Sequence, residues 1–301
     1  MQLDWVYNVQ FAGLLLADHL GLYEQSGLTV ALKPWQSGMI VPEEVAENPM
    51  TIGCSEQNLI LEAQAKGVPL KAIATMFQAS PYALMAMPDG GIRTLNDLVS
   101  KKVGIHIDGI KVMELVKGVN RLPPDAIEVV EIPYENKIER LVSGEFAAIQ
   151  CYAVDEPIAF KQTVGQEPTL LPMDEYGYKA YAQVFFATDT VLREAPNQVK
   201  QFLTASFEGW RRAFADIPGA AKLVAETYAE KDSKYTNVEY QQQSLELVKQ
   251  YVMRGINEAQ LGIILPTQWQ QTADLMAQYD IIDASPTVQT SLDLSLWPAN
   301  S

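Results

Sequence analysis

Residues 1–85 alternate short apolar runs with amphipathic segments, and after "SPYALMAMPDGGI" at 80–92 the same alternation begins again. That restart is the feature that most restricts the fold. Period-2 and helical spacing predict strands near 2–7, 28–33, 50–54 and 70–77, with helices near 12–22, 41–47 and 56–66 between them. In the first helix Ala12, Leu15, Leu16, His19 and Leu20 recur on one face, and Gly21 and Gly27 punctuate its exit. The second series predicts helices at 94–100, 110–119, 136–142 and 155–163, interleaved with the strands "KVGIHI", "IEVVEI" and "AAIQCY". Strands joined by helices imply a mainly parallel sheet covered on both faces. The apolar run "YAQVFFATD" at 181–189 is a further strand, and beyond it helices are expected at 196–214, 217–229, 238–253 and 267–279. The tail from 287 is either anchored by Trp297 or a loose end.

Two series of this kind in 301 residues suit two α/β lobes and a cleft between them. The expected division is residues 1–85 with 187–301 as lobe one and residues 86–186 as lobe two. The chain then crosses between lobes twice, making a two-stranded hinge that few residues need to operate.

Composition narrows the class of partner. With 48% hydrophobic and 20% charged residues the chain is neither disordered nor fibrous. No apolar run approaches the ~20 residues of a membrane-spanning helix, so direct membrane insertion is not expected. A formal charge of −15 without a basic stripe repels phosphate backbones and argues against nucleic acid. Two cysteines, Cys54 and Cys151, each at the end of a strand-like run, read as separate buried thiols and leave no Cys-rich metal site. The opening "MQLDW" lacks a basic stretch followed by an apolar one, so no signal peptide is expected in this chain.

In open α/β sheets ligands bind beyond the carboxyl ends of the strands, where loops and helix N-termini are exposed. The residues there include Trp5, Tyr7 and Asn8; Trp35 and Gly38; Ser55, Glu56 and Gln57; and Gln78. From the second series come His106, Asp108, Tyr152 and Glu156, and from the return strand Tyr181 and Gln183. This set holds aromatics, amides and acids, with no cation apart from Lys179. Sulfonate or phosphate would recruit cationic forks or many free N–H donors. Ring faces edged by amides and carboxylates suit a flat heterocycle instead, with Trp5, Trp35 and Tyr181 as stacking walls and Asn8, Gln57 and Gln183 at the rim. Structural roles compete at several positions: Asn8 and Ser55 are good turn and N-cap residues, Trp5 and Tyr7 fit one apolar strand face, and "DEP" at 155–157 suits a helix start. No nucleophile elbow, P-loop or dinucleotide fingerprint is present, and no cofactor or metal is expected.

The segments "LDWVYNVQFAGLLLADHLGLYEQSGLTVAL", "MTIGCSEQNLILEAQAKGVPLKAIATM", "GIRTLNDLVSKKVGI" and "AVDEPIAFKQ", in that order, resemble the thiamine-pyrimidine-precursor-binding group of type II periplasmic binding proteins. The likeness covers about residues 1–280. It implies a two-lobed solute-binding protein, periplasmic or extracytoplasmic, that delivers a small-molecule ligand to an ABC permease. Extracytoplasmic sensor domains and a pyrimidine synthase share the resemblance. By that resemblance Trp5 and Asn8 match the first ligand motif and Tyr181 the last, whereas Ala182 and Gln183 stand where an acid is usual. The reactive residues of the synthase have no counterparts in the matching segment, so catalysis is not expected.

Overall fold

The computed structural model describes residues 1–297. In chain order the strands are β1 (Ile52–Ser55), β2 (Leu70–Phe77), β3 (Tyr82–Ala86), β4 (Lys102–Ile105), β5 (Glu128–Glu131), β6 (Ala148–Tyr152), β7 (Thr169–Pro172) and β8 (Ala182–Thr188). They form two sheets, ordered β1-β8-β2 and β5-β4-β6-β3-β7, one in each α/β lobe.

The expectation of mainly parallel sheets is corrected. β8 lies between β1 and β2 and is antiparallel to both, because it is the chain returning from the second lobe and enters from the opposite end. In the second sheet β4 is parallel to β5 and β6, while β3 is antiparallel to β6 and β7. Period-2 burial marks a strand but carries no direction.

The segments expected as strands at 2–7 and 28–33 shrink to single bridges. Gln2 bridges Gly53 and Lys33 in parallel, which places the first segment beside β1 and the second on its far side. The first then leaves the sheet because Asn8 caps the turn Val9–Phe11, accepting from the Gln10 N–H at 2.7 Å. β3 and β7 escaped the sequence reading: β3 is wholly buried and so lacks alternation, and both are flanked by proline and short.

Sheet membership changes between Phe77 and Tyr82, and again between Pro172 and Ala182. The two crossing segments are tied together by the Ser80 N–H donating to the Ala180 carbonyl at 2.8 Å. A two-stranded connection therefore joins the lobes.

The first helix spans Ala12–His19 and breaks where Gly21 adopts φ +65°, a left-handed conformation that costs glycine little. It packs on the long helix Pro196–Ala215 at close range. A methyl group at Gly209 would stand 2.0 Å from the Gly13 carbonyl oxygen. Gly209→Ala should therefore lower stability by roughly 1–3 kcal/mol, as overpacking does, read from a urea midpoint; an unchanged midpoint would refute this packing.

Past β8 the chain is helical, as expected, with further helices at Ile217–Leu223, Val238–Val252 and Pro266–Gln278. Trp297 anchors the tail: it stacks on Phe207 at 4.5 Å and donates to the Leu261 carbonyl at 2.6 Å. Cys54 and Cys151 are buried free thiols. Among the described residues no helix is long and apolar enough to cross a membrane.

Candidate functional site

A cleft of about 750 Å³ opens between the lobes, at the carboxyl ends of β1, β4 and β6. Its first wall is aromatic. Trp5 and Trp35 stack with centroids 5.1 Å apart, and Tyr134 from the other lobe packs on both at 5.0 and 5.5 Å. Tyr134 in turn stacks on His106 at 4.3 Å, so one run of rings spans both lobes. Local structure aims these rings. The Trp35 N–H donates to the Trp5 carbonyl, and its indole donates to the Met39 carbonyl at 2.9 Å, across a turn that Gly38 closes with φ +83°. The Trp5 indole donates to the Tyr235 hydroxyl at 3.0 Å, and Tyr235 donates to Asp155 at 2.8 Å.

Of the residues singled out from the sequence, Trp5, Trp35, Gly38, Ser55, Glu56, His106, Asp108, Tyr152, Glu156 and Gln183 line the cleft. Tyr7, Asn8, Gln57, Gln78 and Tyr181 lie outside its lining and have structural partners. The Tyr7 hydroxyl donates to the Leu32 carbonyl at 2.6 Å, and Asn8 is the turn cap described above. The Gln57 amide donates to the Trp269 carbonyl and accepts from the Tyr181 N–H. Gln78 donates to the Ile263 carbonyl at 3.1 Å, while the buried Tyr181 hydroxyl accepts from the Leu265 N–H at 2.9 Å. The third ring of the wall is thus Tyr134 rather than Tyr181. Tyr134 and Lys137 follow β5, and reading the end of that strand like the others would have found them.

Lys66, Lys111 and Lys137 line the cleft and correct the expectation of one without an ammonium; the most enclosed of them is Lys137. It is buried, ion-paired with Glu156, and donates to His106 Nε2 at 3.0 Å. His106 Nδ1 faces the Ile132 carbonyl at 3.1 Å, which makes it the protonated nitrogen and leaves Nε2 to accept. Burial, and then the Lys137 charge, push the imidazole down to about 4, so it is neutral near pH 7. Burial opposes the charge of Glu156, but Lys137 and Lys234 outweigh it and hold this carboxyl well below the usual range. Lys137 is therefore already neutralised.

The remaining acids behave oppositely. Burial pushes Glu56 up to about 8, against hydrogen bonds from the Tyr152 hydroxyl and from Ser80 Oγ at 3.3 Å. Burial pushes Asp4 up to about 7, and it also raises Asp108, which accepts from Gln150 Nε2 at 3.2 Å. Polar groups without partners concentrate here too. Of seven buried side-chain N or O atoms lacking a hydrogen bond among the described residues, five belong to cleft residues: Asp4 Oδ1, Ser55 Oγ, Asn58 Nδ2, Tyr82 OH and Gln183 Oε1. Unpaired buried polarity costs about 1–3 kcal/mol per group, so its gathering in one cavity marks a place built for a polar guest. No group of three or more His, Cys, Asp or Glu side chains that could hold a metal occurs among the described residues.

Known proteins resemble this chain in sequence and in fold. A 4-amino-5-hydroxymethyl-2-methylpyrimidine phosphate synthase of Legionella pneumophila is 24% identical over 211 residues, covering 69% of this chain and 66% of that protein, just under two thirds. The riboflavin-binding protein RibY of Chloroflexus aurantiacus is 22% identical over 100% of this chain and 86% of its own length. Among solved structures, the ligand-binding component of an ABC-type import system from Staphylococcus aureus, with zinc bound, superposes with a TM-score of 0.70 at 15% identity, covering 98% of this chain and 97% of that one. The fold is therefore that of the periplasmic solute-binding proteins. The family model described as NMT1/THI5 like matches residues 8–221, most of the chain, and the protein belongs to that family.

Proposed function

We propose that this protein is a non-catalytic, extracytoplasmic solute receptor that closes its two lobes on a small aromatic heterocycle, of the thiamine-pyrimidine-precursor kind or a related ring, and delivers it to an ABC permease. The observation that carries the reading is the pairing of a ring wall contributed by both lobes with five partnerless polar atoms in the same cleft. Rings stack on a flat guest, and fixed donors and acceptors read its edge. A ligand touching both lobes favours the closed form by its differential affinity for that form. The names of the synthase and of RibY, both tied to heterocycles, support the ring chemistry. Catalysis is disfavoured because both nitrogens of His106, the imidazole in the cleft, are engaged, one by the Ile132 carbonyl and one by Lys137.

A thermal-shift panel of pyrimidines, flavins, aromatic acids and sulfonates tests this. Any tight ligand stabilises the fold by mass action, about 2.7 kcal/mol at a hundredfold excess over Kd. Heterocycles should raise the midpoint and sulfonates should leave it unchanged. A panel in which sulfonates or inorganic anions alone raised it would refute the reading.

A further inference from the structure

A carboxyl, that of Asp4, lines the same cleft as the amide of Gln183. Gln2 pairs with Gly53 in parallel, so two residues on Asp4 is level with Ser55, and Ser55 pairs with Val184, next to Gln183. At this edge of the sheet β1 ends and β8 begins, and Asp4, Ser55 and Gln183 all line the cleft. Each carries a buried oxygen with no partner, and Ser55 and Gln183 are 1% and 2% exposed. Carboxylate and amide oxygens accept, whereas the other two partnerless cleft groups, Asn58 Nδ2 and Tyr82 OH, can donate.

We propose that Asp4 is the residue that selects the ligand's charge: with Ser55 and Gln183 it forms an acceptor edge for an amino-bearing, weakly basic heterocycle, and its carboxyl proton passes to a ring nitrogen on binding. In that step the Asp4 O–H bond breaks, a ring N–H bond forms, and a carboxylate–heterocyclium pair remains. The inference rests on the receptor reading above and refines it.

The surroundings favour a cation in the occupied site. Asp4 faces the Cys54 thiol, Glu56, Asp108, Tyr134 and Tyr152, none of them a source of positive charge. Of the lysines that line the cleft, Lys137, which acts on Asp108, is paired with Glu156, Lys111 is paired with Glu62, and Lys66 is exposed to solvent. With Asp4 protonated up to about pH 7, the empty site already holds the proton that the complex needs. Above that pH the proton must come from solvent, so affinity for a neutral base falls as pH rises, whereas between the ligand's own pKa and that pH no net proton is exchanged.

Isothermal titration with 4-aminopyrimidine, and with pyrimidine and benzenesulfonate as comparators, tests the proposal. Wild-type Kd should be level near about pH 6.5 and rise about tenfold per unit well above pH 7. Asp4→Asn should weaken binding at the lower pH by about 30-fold and remove the slope, and adding Gln183→Glu should restore both. An Asp4→Asn protein with wild-type affinity and slope, or a slope that disappears instead in Glu56→Gln, would overturn the assignment to Asp4 while leaving the receptor reading intact. Failure of every heterocycle to bind the wild type would overturn both. Should Asp4→Asn not fold, the wild type decides alone: titrations in buffers of different ionisation enthalpy near about pH 8.5 should register uptake of about one proton, and zero uptake refutes the proposal.

Discussion

Trp5→Ala is expected to weaken ligand binding by about 30- to 100-fold, the loss of roughly 2–3 kcal/mol that removal of a central aromatic anchor brings. Trp5 is the hub of the ring wall, touching both Trp35 and Tyr134, and its indole is fixed through Tyr235 to Asp155. Truncation removes a stacking face and also one of the contacts between the lobes. Trp5→Phe should keep most of the affinity, because the face survives while the indole hydrogen bond does not. Tyr7→Phe is the informative control. Tyr7 is two residues away, but its hydroxyl is turned to the Leu32 carbonyl, so affinity should stay within about twofold. Titration of a ligand from the thermal-shift panel against the three variants measures this, and a Trp5→Ala protein binding within about threefold of wild type would count against the aromatic wall.

The largest effect on stability is expected at Lys137. Lys137→Met leaves Glu156 buried with the Tyr152 N–H, at 2.7 Å, and the field of Lys234 to support its charge, and breaking such a pair from one side typically costs about 3–5 kcal/mol. Replacing both partners, Lys137→Met with Glu156→Gln, should recover most of the loss, because no uncompensated charge is left. The pH dependence has a definite sign. The folded pKa of Glu156 is lowered, so its contribution is complete above the ordinary glutamate pKa and is lost as pH falls from there through the lowered value. Urea unfolding at neutral pH and at about pH 3 reads both effects. A single-variant loss under about 1 kcal/mol would show that the pair is solvated after all.

Much of the architecture was legible in the chain. The helices at 110–119, 196–215, 238–252 and 266–278 lie within a residue or so of their expected bounds, because long amphipathic patterns report burial on one face. Strand direction was not legible, since β8 reads as an apolar run whether it joins the sheet upward or downward. In the cleft, Trp35, Ser55 and Glu56 could be found because they follow strands that the sequence marks, and Trp5 because it is an aromatic near the end of one. Asp4 and Gln10 line the same cavity but sit within segments whose pattern says only strand or turn. Tyr181 and Gln57 have the right chemistry and a wrong address, since each is satisfied by a neighbour that comes from far along the chain, Leu265 and Trp269.

The sequence by itself determined that this protein would be two α/β lobes with a cleft at the strand ends, because hydrophobic periodicity and turn residues act over a dozen positions and need no distant partner. Only the tertiary structure decided which polar groups remain free to meet a guest. Whether a carboxylate, amide or ammonium is spent on the protein or left for a ligand depends on residues that meet it across the fold, as Lys137 meets Glu156 and Tyr152 meets Glu56, and local patterns carry no record of those meetings.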